Sequence, residues 1–185
     1  MSSKRLFFAI DLPLEIKEKI LKIAKKINLP KEVSLTPMQN LHLTILFLGD
    51  IAIENIPQIL KISQKVFSHY QPFNLYFNNI TAIPNKNYCR MIWLNGEYDK
   101  TFKQIRNELE QELEKEKISF QKENHKLKIH ITLARFLPQK LDFQTISLPI
   151  HLKIKEIILM ESELKKPHAI YIPLEKFILK GENKI

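Results

Sequence analysis

Residues 41–47 read LHLTILF and residues 129–136 read IHITLARF, so the chain carries one short pattern twice. Each copy places a histidine and a threonine two residues apart in a β-branched, apolar run. Side chains two apart on a strand point to the same face, so each copy presents an imidazole beside a hydroxyl while its leucines and isoleucines face a core. The four polar residues are His42, Thr44, His130 and Thr132. Two imidazoles that face each other can act as general acid and general base around one phosphorus.

The order strand, helix, histidine strand surrounds both copies. Hydrophobic periodicity predicts it over residues 6–47 and again over 90–136. After the first copy, Gly49-Asp50 is a turn signal expected to end the strand, and a second helix follows with Pro57 in its first turn. After the second copy, a loop is expected at 138–147. The other predicted elements are helices from Pro13 to residues 29–30 and at 98–117, and strands at 72–84, 148–164 and 169–179, the last two paired as a hairpin.

These patterns predict an α+β fold of antiparallel sheets with flanking helices. We expect residues 1–185 to form one domain of two intertwined, pseudo-symmetric lobes around a central cleft, each lobe supplying one histidine strand. The chain has only three glycines and contains none of the Gly-rich loops that cradle phosphates. Binding of a nucleoside triphosphate or dinucleotide by such a loop is therefore not expected.

Charge and composition limit the kinds of binding partner, metal site and cellular location that we expect. The net charge is +9 and the pI is near 9.5, which favours a polyanion such as nucleic acid, although a solvated lysine-rich surface produces the same excess. Cys89 is the single cysteine, so neither an intrachain disulfide nor a thiolate metal cluster can form. The apolar run before Asp11 is too short for a signal-peptide core or a membrane span. We expect a cytoplasmic protein that does not enter a membrane.

Structural and metal-binding roles are the alternatives to acid–base chemistry. A histidine on a strand is often a packed or surface residue, and threonine is an ordinary strand former. The matching surroundings of the two copies favour a joint function instead. Zinc sites add ligands at short spacing, and neither copy has a second ligand nearby, whereas threonine is a good hydrogen-bond donor to a phosphate oxygen. We expect neither a metal nor a cofactor.

Phosphodiester cleavage needs the groups that these strands offer. The nucleophile must lose a proton, the leaving alkoxide must gain one, and the charge on the non-bridging oxygens must be stabilised. Imidazoles titrate near neutral pH, so one can be neutral while the other is protonated. The threonine hydroxyls would bind the non-bridging oxygens from both sides.

The stretches NLHLTILFLGD and KIHITLARF, together with RLFFAIDLP and LMESEL, resemble the two-histidine (2H) phosphoesterase superfamily. The closer resemblance is to its RNA 2′,3′-cyclic phosphodiesterase branch, also called the 2′-5′ RNA ligase family, and it spans Arg5 to Leu179. It implies a bilobal α+β fold and hydrolysis of a 2′,3′-cyclic phosphate at an RNA end to a 2′-phosphate, without metal or ATP. Some members also join RNA halves through a 2′-5′ linkage, so tRNA halves are one candidate substrate. We assume a monomer.

The resemblance implies roles for both pairs. It makes His42 and His130 the acid and base, and Thr44 and Thr132 the phosphate contacts. We expect His42 to protonate the 3′-oxygen leaving group and His130 to activate water, with the roles exchanged in ligation.

Two further residues follow the pairs. Arg135 matches an arginine expected to contact phosphate, and Phe47 matches an aromatic residue that can stack on a nucleobase. Core packing is the alternative for Phe47, and a surface or structural role is the alternative for Arg135. Each lies five residues after its histidine, which is the opposite face of a regular strand, so a bulge or the end of the strand must turn it into the cleft.

The sequence departs from the family pattern at two places. Ser34 stands where the family often has a basic residue, and Ile129 stands where a proline commonly precedes the second histidine. Lys31 is a candidate to compensate at the first place. Arg5, before the first strand, either faces the cleft or is a surface charge. The remaining histidines are expected to be exposed at His69, His125 and His168, with His151 on a strand that lacks the following threonine.

Two other functions stay open from the sequence. One is a phosphodiesterase acting on a small cyclic nucleotide, such as ADP-ribose 1″,2″-cyclic phosphate. The other is an RNA-binding protein that holds RNA ends without catalysis, although binding alone needs no pair of titrating imidazoles.

Overall fold

A computed structural model describes residues 2–27, 29–31, 33–122, 127–166 and 168–181. This part of the chain forms three α-helices and one eight-stranded sheet. The helices are α1 (Leu14–Ala24), α2 (Ile56–Ser68) and α3 (Lys100–Lys115). The strands are β1 (Ser3–Asp11), β2 (His42–Ala52), β3 (Phe73–Ile83), β4 (Cys89–Gly96), β5 (His130–Gln139), β6 (Ile146–Ile154), β7 (Glu156–Glu163) and β8 (Ile170–Ile178). None of these helices is long and apolar enough to cross a membrane.

The sheet consists of two four-stranded halves. Its order is β6-β3-β4-β5-β2-β1-β7-β8, and neighbouring strands are antiparallel. The histidine strands β2 and β5 meet at the junction, where Leu43 pairs with Ile131. In each half the histidine strand lies beside the strand that precedes it, in the units β1-α1-β2 and β4-α3-β5. The predicted α+β fold with two similar antiparallel halves is confirmed, and the sheet curls like half a barrel.

The apolar positions of both histidine strands lie in one core. They are Leu41, Leu43 and Ile45 in the first copy and Ile129, Ile131 and Leu133 in the second, and all are buried. The same cluster includes Ile20 of α1, Phe67 of α2 and Leu109 of α3. Burying one such aliphatic side chain contributes about 1.5–3 kcal/mol. The core therefore determines which face of β2 and β5 carries the polar side chains, and it is the face predicted from the sequence.

Two predicted element boundaries are wrong. Strand β2 does not end at Gly49-Asp50 but continues to Ala52, because Gly49 adopts a φ of 77° that suits glycine and lets the strand bend within the ladder. Helix α1 ends at Ala24, earlier than expected. The apolar period runs on to Ile27, which is buried, but its N–H bonds to the Ala24 carbonyl in a tighter turn.

The predicted single strand at 148–164 is also wrong. The chain leaves β6 at Lys155 and starts β7 one residue later. Strand β6 pairs with β3 at one edge of the sheet, whereas β7 pairs with β1 in the other half. Neither glycine nor proline marks this crossing, so the sequence carries no signal for it. The hairpin of β7 with β8 is confirmed.

Candidate active site

One cleft lies over the junction of the two histidine strands. The antiparallel bridge between β2 and β5 puts Thr44 opposite His130. By the same register, Thr132 lies opposite His42. The four side chains form a square on the face turned away from the core, with the imidazoles at diagonal corners. All four line a cleft of about 580 Å³.

The His42 imidazole is held in one orientation by its neighbours. Its Nδ1 donates a hydrogen bond to the Asn40 carbonyl oxygen at 2.7 Å, so Nδ1 carries the proton of the neutral ring. Nε2 then accepts from the Thr44 hydroxyl at 3.1 Å. The rings of Phe7 and Tyr171 pack against the imidazole, with centroid distances of 5.1 and 5.0 Å. Nε2, beside the threonine hydroxyl, is therefore the ring nitrogen that can accept a proton.

Burial governs the protonation of His42. Loss of solvent lowers the pKa of the imidazole, and this effect exceeds that of the Asn40 carbonyl and the Asp11 carboxylate, which raise it. The positive charges of His130 and Lys17 also lower it. Asp11 is the partner of His42 across the β1–β2 ladder, and its carboxylate forms an ion pair with Lys17 at 2.6 Å. The neutral imidazole, a proton acceptor, is favoured.

His130 repeats this anchoring in different surroundings. Its Nδ1 donates to the carbonyl oxygen of Lys128, again two residues earlier, at 2.8 Å. Its ring stacks on the indole of Trp93, with centroids 3.7 Å apart and planes inclined by 21°. The position on β1 equivalent to Trp93 is Ala9, since these residues pair with Thr132 and Thr44 respectively. The two imidazoles thus share an orientation, but only His130 lies on an indole face.

A β-bulge after each threonine turns one more side chain into the cleft. The ladder skips Ile45 on β2 and Leu133 on β5, so each is an extra residue opposite its neighbouring strand. Two consecutive residues therefore face the core at each bulge, Ile45 and Leu46 on β2 and Leu133 and Ala134 on β5. Beyond the bulges, Phe47 and Arg135 point to the face of the histidines, and both line the cleft. Because β2 and β5 run in opposite directions, these two residues mark opposite ends of it.

At one end of the cleft, Arg5 covers the aromatic ring of Phe47. The guanidinium carbon lies 4.7 Å from the ring centroid, a cation–π contact. Asp50, its partner across the β1–β2 ladder, is 3.9 Å from the guanidinium. The structure thus places Arg5 in the cleft. A guanidinium plane and an aromatic ring are both surfaces on which a nucleobase can stack.

At the other end, His168 and Ala169, which immediately precede β8, form a wall of the cleft that the sequence did not reveal, and we call it the β7–β8 wall. His168 was expected to be exposed, but it is half-buried and lines the cleft, with Nε2 3.4 Å from the Ser34 hydroxyl. The Asn40 side chain donates to the Ala169 carbonyl at 2.7 Å. Tyr171 follows on β8, and burial raises the pKa of its hydroxyl. No spacing in the sequence links these residues to the histidine strands, and Lys31 does not line the cleft.

The other histidines lie away from the cleft. His69, also expected to be exposed, is half-buried because its Nδ1 bonds Glu108 at 2.9 Å and ties α2 to α3. His151 on β6 is exposed and stacks on Tyr76. His125 lies outside the described residues.

The cleft has the charge of an anion-binding site. Among the described residues that line it, none is a carboxylate, while Arg5, Arg135 and the three imidazoles of His42, His130 and His168 all face it. Within the same described ranges, no three His, Cys, Asp or Glu side chains are grouped so that they could hold a metal ion. The arrangement offers two imidazoles that can transfer protons and several hydrogen-bond donors that can bind phosphate oxygens.

Several known proteins are similar to this chain in sequence and architecture. A family model described as LigT-like phosphoesterase matches residues 10–93. The RNA 2′,3′-cyclic phosphodiesterase of Methanocaldococcus jannaschii is 34% identical over 131 residues, which are 71% of this chain and 70% of that protein. A crystal structure of a Thermus thermophilus protein superposes with a TM-score of 0.87 at 27% identity, over 97% of this chain and 100% of that one. Escherichia coli LigT in complex with 3′-AMP superposes with a TM-score of 0.82 at 26% identity, over 96% and 99% of the two chains.

The two-half sheet and its paired histidine strands define the class as a phosphoesterase of the 2H type. Within that class, the chain belongs to the LigT-like phosphoesterase family. The resemblance identified in the sequence is confirmed.

Proposed function

We propose that this protein hydrolyses the 2′,3′-cyclic phosphate at an RNA end to a 2′-phosphomonoester, with His42 and His130 as the acid–base pair. The observation that carries this proposal is the antiparallel square of two histidines and two threonines in one cleft. The curated relative from Methanocaldococcus jannaschii is named for this activity, and it supports the choice of substrate.

The square suits displacement at phosphorus. A cyclic phosphate placed over the junction of β2 and β5 has an imidazole Nε2 on each side, because both Nδ1 atoms are occupied by backbone carbonyls. One imidazole takes a proton from the attacking water and the other gives a proton to the departing 3′-oxygen. The hydroxyls of Thr44 and Thr132 donate to the non-bridging oxygens, where charge develops in the transition state.

The two ends of the cleft bind the rest of the nucleotide in this proposal. Arg135 neutralises phosphate charge, since its guanidinium can donate two parallel hydrogen bonds. Phe47, with Arg5 on its ring, provides a stacking surface for a base. The reverse reaction, 2′-5′ ligation, needs the same groups with the acid and base exchanged.

The domain organisation, oligomeric state, cellular location and RNA substrate of the enzyme can be proposed as well. We propose that the chain is one domain of two intertwined lobes, acts as a monomer in the cytoplasm, and works on RNA ends such as those of tRNA halves. The junction of the two sheet halves at the site supports the single domain. The net charge of +9 supports a polyanionic substrate.

Product analysis tests the proposal directly. An RNA oligonucleotide ending in a 2′,3′-cyclic phosphate is incubated with the protein in EDTA, and we expect a 2′-phosphate. His42→Ala and His130→Ala should each lower the rate by about 10²–10⁴-fold, the usual contribution of one proton-transfer group. His151→Ala, outside the cleft, is the matched control. A 3′-phosphate product, metal dependence or undiminished variants would contradict the proposal.

The same assay separates the other two functions. Turnover of ADP-ribose 1″,2″-cyclic phosphate in preference to the RNA end would identify a small-nucleotide phosphodiesterase. Binding of the RNA end without any turnover would identify a non-catalytic RNA-binding protein.

A further inference from the structure

We infer that His168 binds the phosphodiester that joins the cyclic-phosphate nucleotide to the rest of the RNA, so that the enzyme prefers an RNA chain to a mononucleotide. This inference rests on the proposed function and names the part of the substrate that reaches the β7–β8 wall of the cleft.

The position of His168 is fixed by contacts on both sides. Its Nε2 lies 3.4 Å from the Ser34 hydroxyl, and the next residue, Ala169, accepts a hydrogen bond from the buried Asn40 side chain at 2.7 Å. The backbone carbonyl of Asn40 in turn holds His42. The imidazole of His168 is therefore part of a connected wall that starts at the catalytic pair.

The reacting phosphate does not need His168. In the proposed reaction its two non-bridging oxygens are bound by the hydroxyls of Thr44 and Thr132, and its attacking and leaving oxygens are served by the imidazoles of His42 and His130. A cyclic phosphate is a monoanion, and Arg135 already offers a full positive charge to it. A third imidazole at the end of the cleft suits a second anionic group.

Charge at this end supports an additional phosphate. The segment with Ser34 runs beside β5, where Leu35 bridges to Ala134, next to Arg135. Glu163, the last residue of β7, pairs with Lys165 at 2.9 Å. No carboxylate is found among the described lining residues. In an RNA end, the next anion along the chain is the phosphodiester on the 5′ side of the terminal nucleotide.

A comparison of two substrates tests the inference. We measure kcat/KM for a nucleoside 2′,3′-cyclic phosphate and for a trinucleotide that ends in the same cyclic phosphate. His168→Gln, which keeps a polar side chain but removes the imidazole, should lower the trinucleotide-to-mononucleotide ratio of kcat/KM by about tenfold, the size of one hydrogen bond to a charged phosphodiester. His168→Arg should restore the ratio, and His151→Gln is the control outside the cleft.

Salt dependence provides a readout that a purely structural role would not move. For the trinucleotide, the slope of log kcat/KM against log salt should be steeper in His168→Arg than in His168→Gln by about 0.7, as expected for one phosphate contact on a single strand. Equal losses on both substrates, or an unchanged ratio in a folded His168→Gln protein, would overturn the inference. A wild-type protein that hydrolyses neither substrate would instead refute the proposed function.

Discussion

Replacing Thr44 by valine removes one hydroxyl from the square of histidines and threonines and keeps a β-branched side chain on the strand. The hydroxyl lies 3.1 Å from His42 Nε2 and opposite His130 in the β2–β5 register. A hydrogen bond to a charged group contributes about 1.5–3 kcal/mol. If the hydroxyl donates to a phosphate oxygen in the transition state, Thr44→Val should lower kcat/KM by about 10–150-fold.

Thr132 allows a second, independent substitution and a test of additivity. Thr132 holds the equivalent place opposite His42, so Thr132→Val should lower kcat/KM by a similar factor. Because the two hydroxyls are expected to serve different non-bridging oxygens, the free-energy losses should add in the double variant, to about 3–6 kcal/mol.

The assay is the steady-state hydrolysis of a nucleoside 2′,3′-cyclic phosphate, with thermal melting to establish that each variant is folded. Thr101→Val, in the first turn of α3, is the control for replacing a threonine outside the cleft. A folded Thr44→Val protein with less than about a twofold loss would refute the reasoning, since a transition-state hydrogen bond cannot be that weak. A double variant no worse than the single variants would show that the hydroxyls do not bind separate oxygens.

Three further predictions concern the surroundings of the pair. A cyclic substrate with sulfur in place of the 3′-oxygen has a leaving group that needs no proton, so it should rescue alanine at the acid and not at the base. The lowered pKa of His42 favours its neutral form and therefore the role of base, so we expect rescue of His130→Ala, contrary to the sequence-based expectation that His42 is the acid. Rescue of His42→Ala alone would contradict this assignment. In the folded protein the pKa of His42 lies below the value of about 6.5 expected for the unfolded chain. At a pH between the folded and the unfolded pKa, the unfolded state therefore binds more protons than the folded state. The stabilisation by neutral His42 is therefore complete above the unfolded pKa and is lost as the pH falls through the folded one. Urea unfolding should show a larger loss of stability from pH 7.5 to pH 5 for the wild type than for His42→Gln, and equal losses would contradict this. Finally, Asn40→Ala removes the 2.7 Å bond to Ala169 and leaves a carbonyl unpaired, so it should destabilise the protein by about 1–3 kcal/mol, measured by the same unfolding experiment.

The sequence predicted that each histidine and its threonine share one face of a strand, because this signal is local. Histidine and threonine two residues apart on an apolar strand must share a face, and the buried residues between them confirm the face chosen. The strand–helix–strand units could be predicted for the same reason, since each has its own hydrophobic period.

Phe47 and Arg135 show the limit of this reasoning. A regular strand would turn both away from the histidines, and the bulges at Ile45 and Leu133 reverse that direction. A bulge depends on how the neighbouring strand pairs, which no residue in the motif encodes. The sequence showed that Phe47 and Arg135 could reach the cleft only through a bulge or a strand end, and the strand pairing in the folded sheet shows that bulges turn them there.

The sequence by itself determined the paired histidines and threonines, the class of fold and the phosphoesterase family, because all three reside in short, periodic stretches of chain. Only the tertiary structure decided what surrounds LHLTILF and IHITLARF. It placed His130 on the Trp93 indole and His42 in a more buried position, and it brought His168 next to Ser34 from 134 residues away. The His130–Trp93 contact comes from the pairing of β4 with β5, and the His168–Ser34 contact comes from the crossing at Lys155 and the pairing of β7 with β1. Since they join distant parts of the chain, no local pattern could have predicted them.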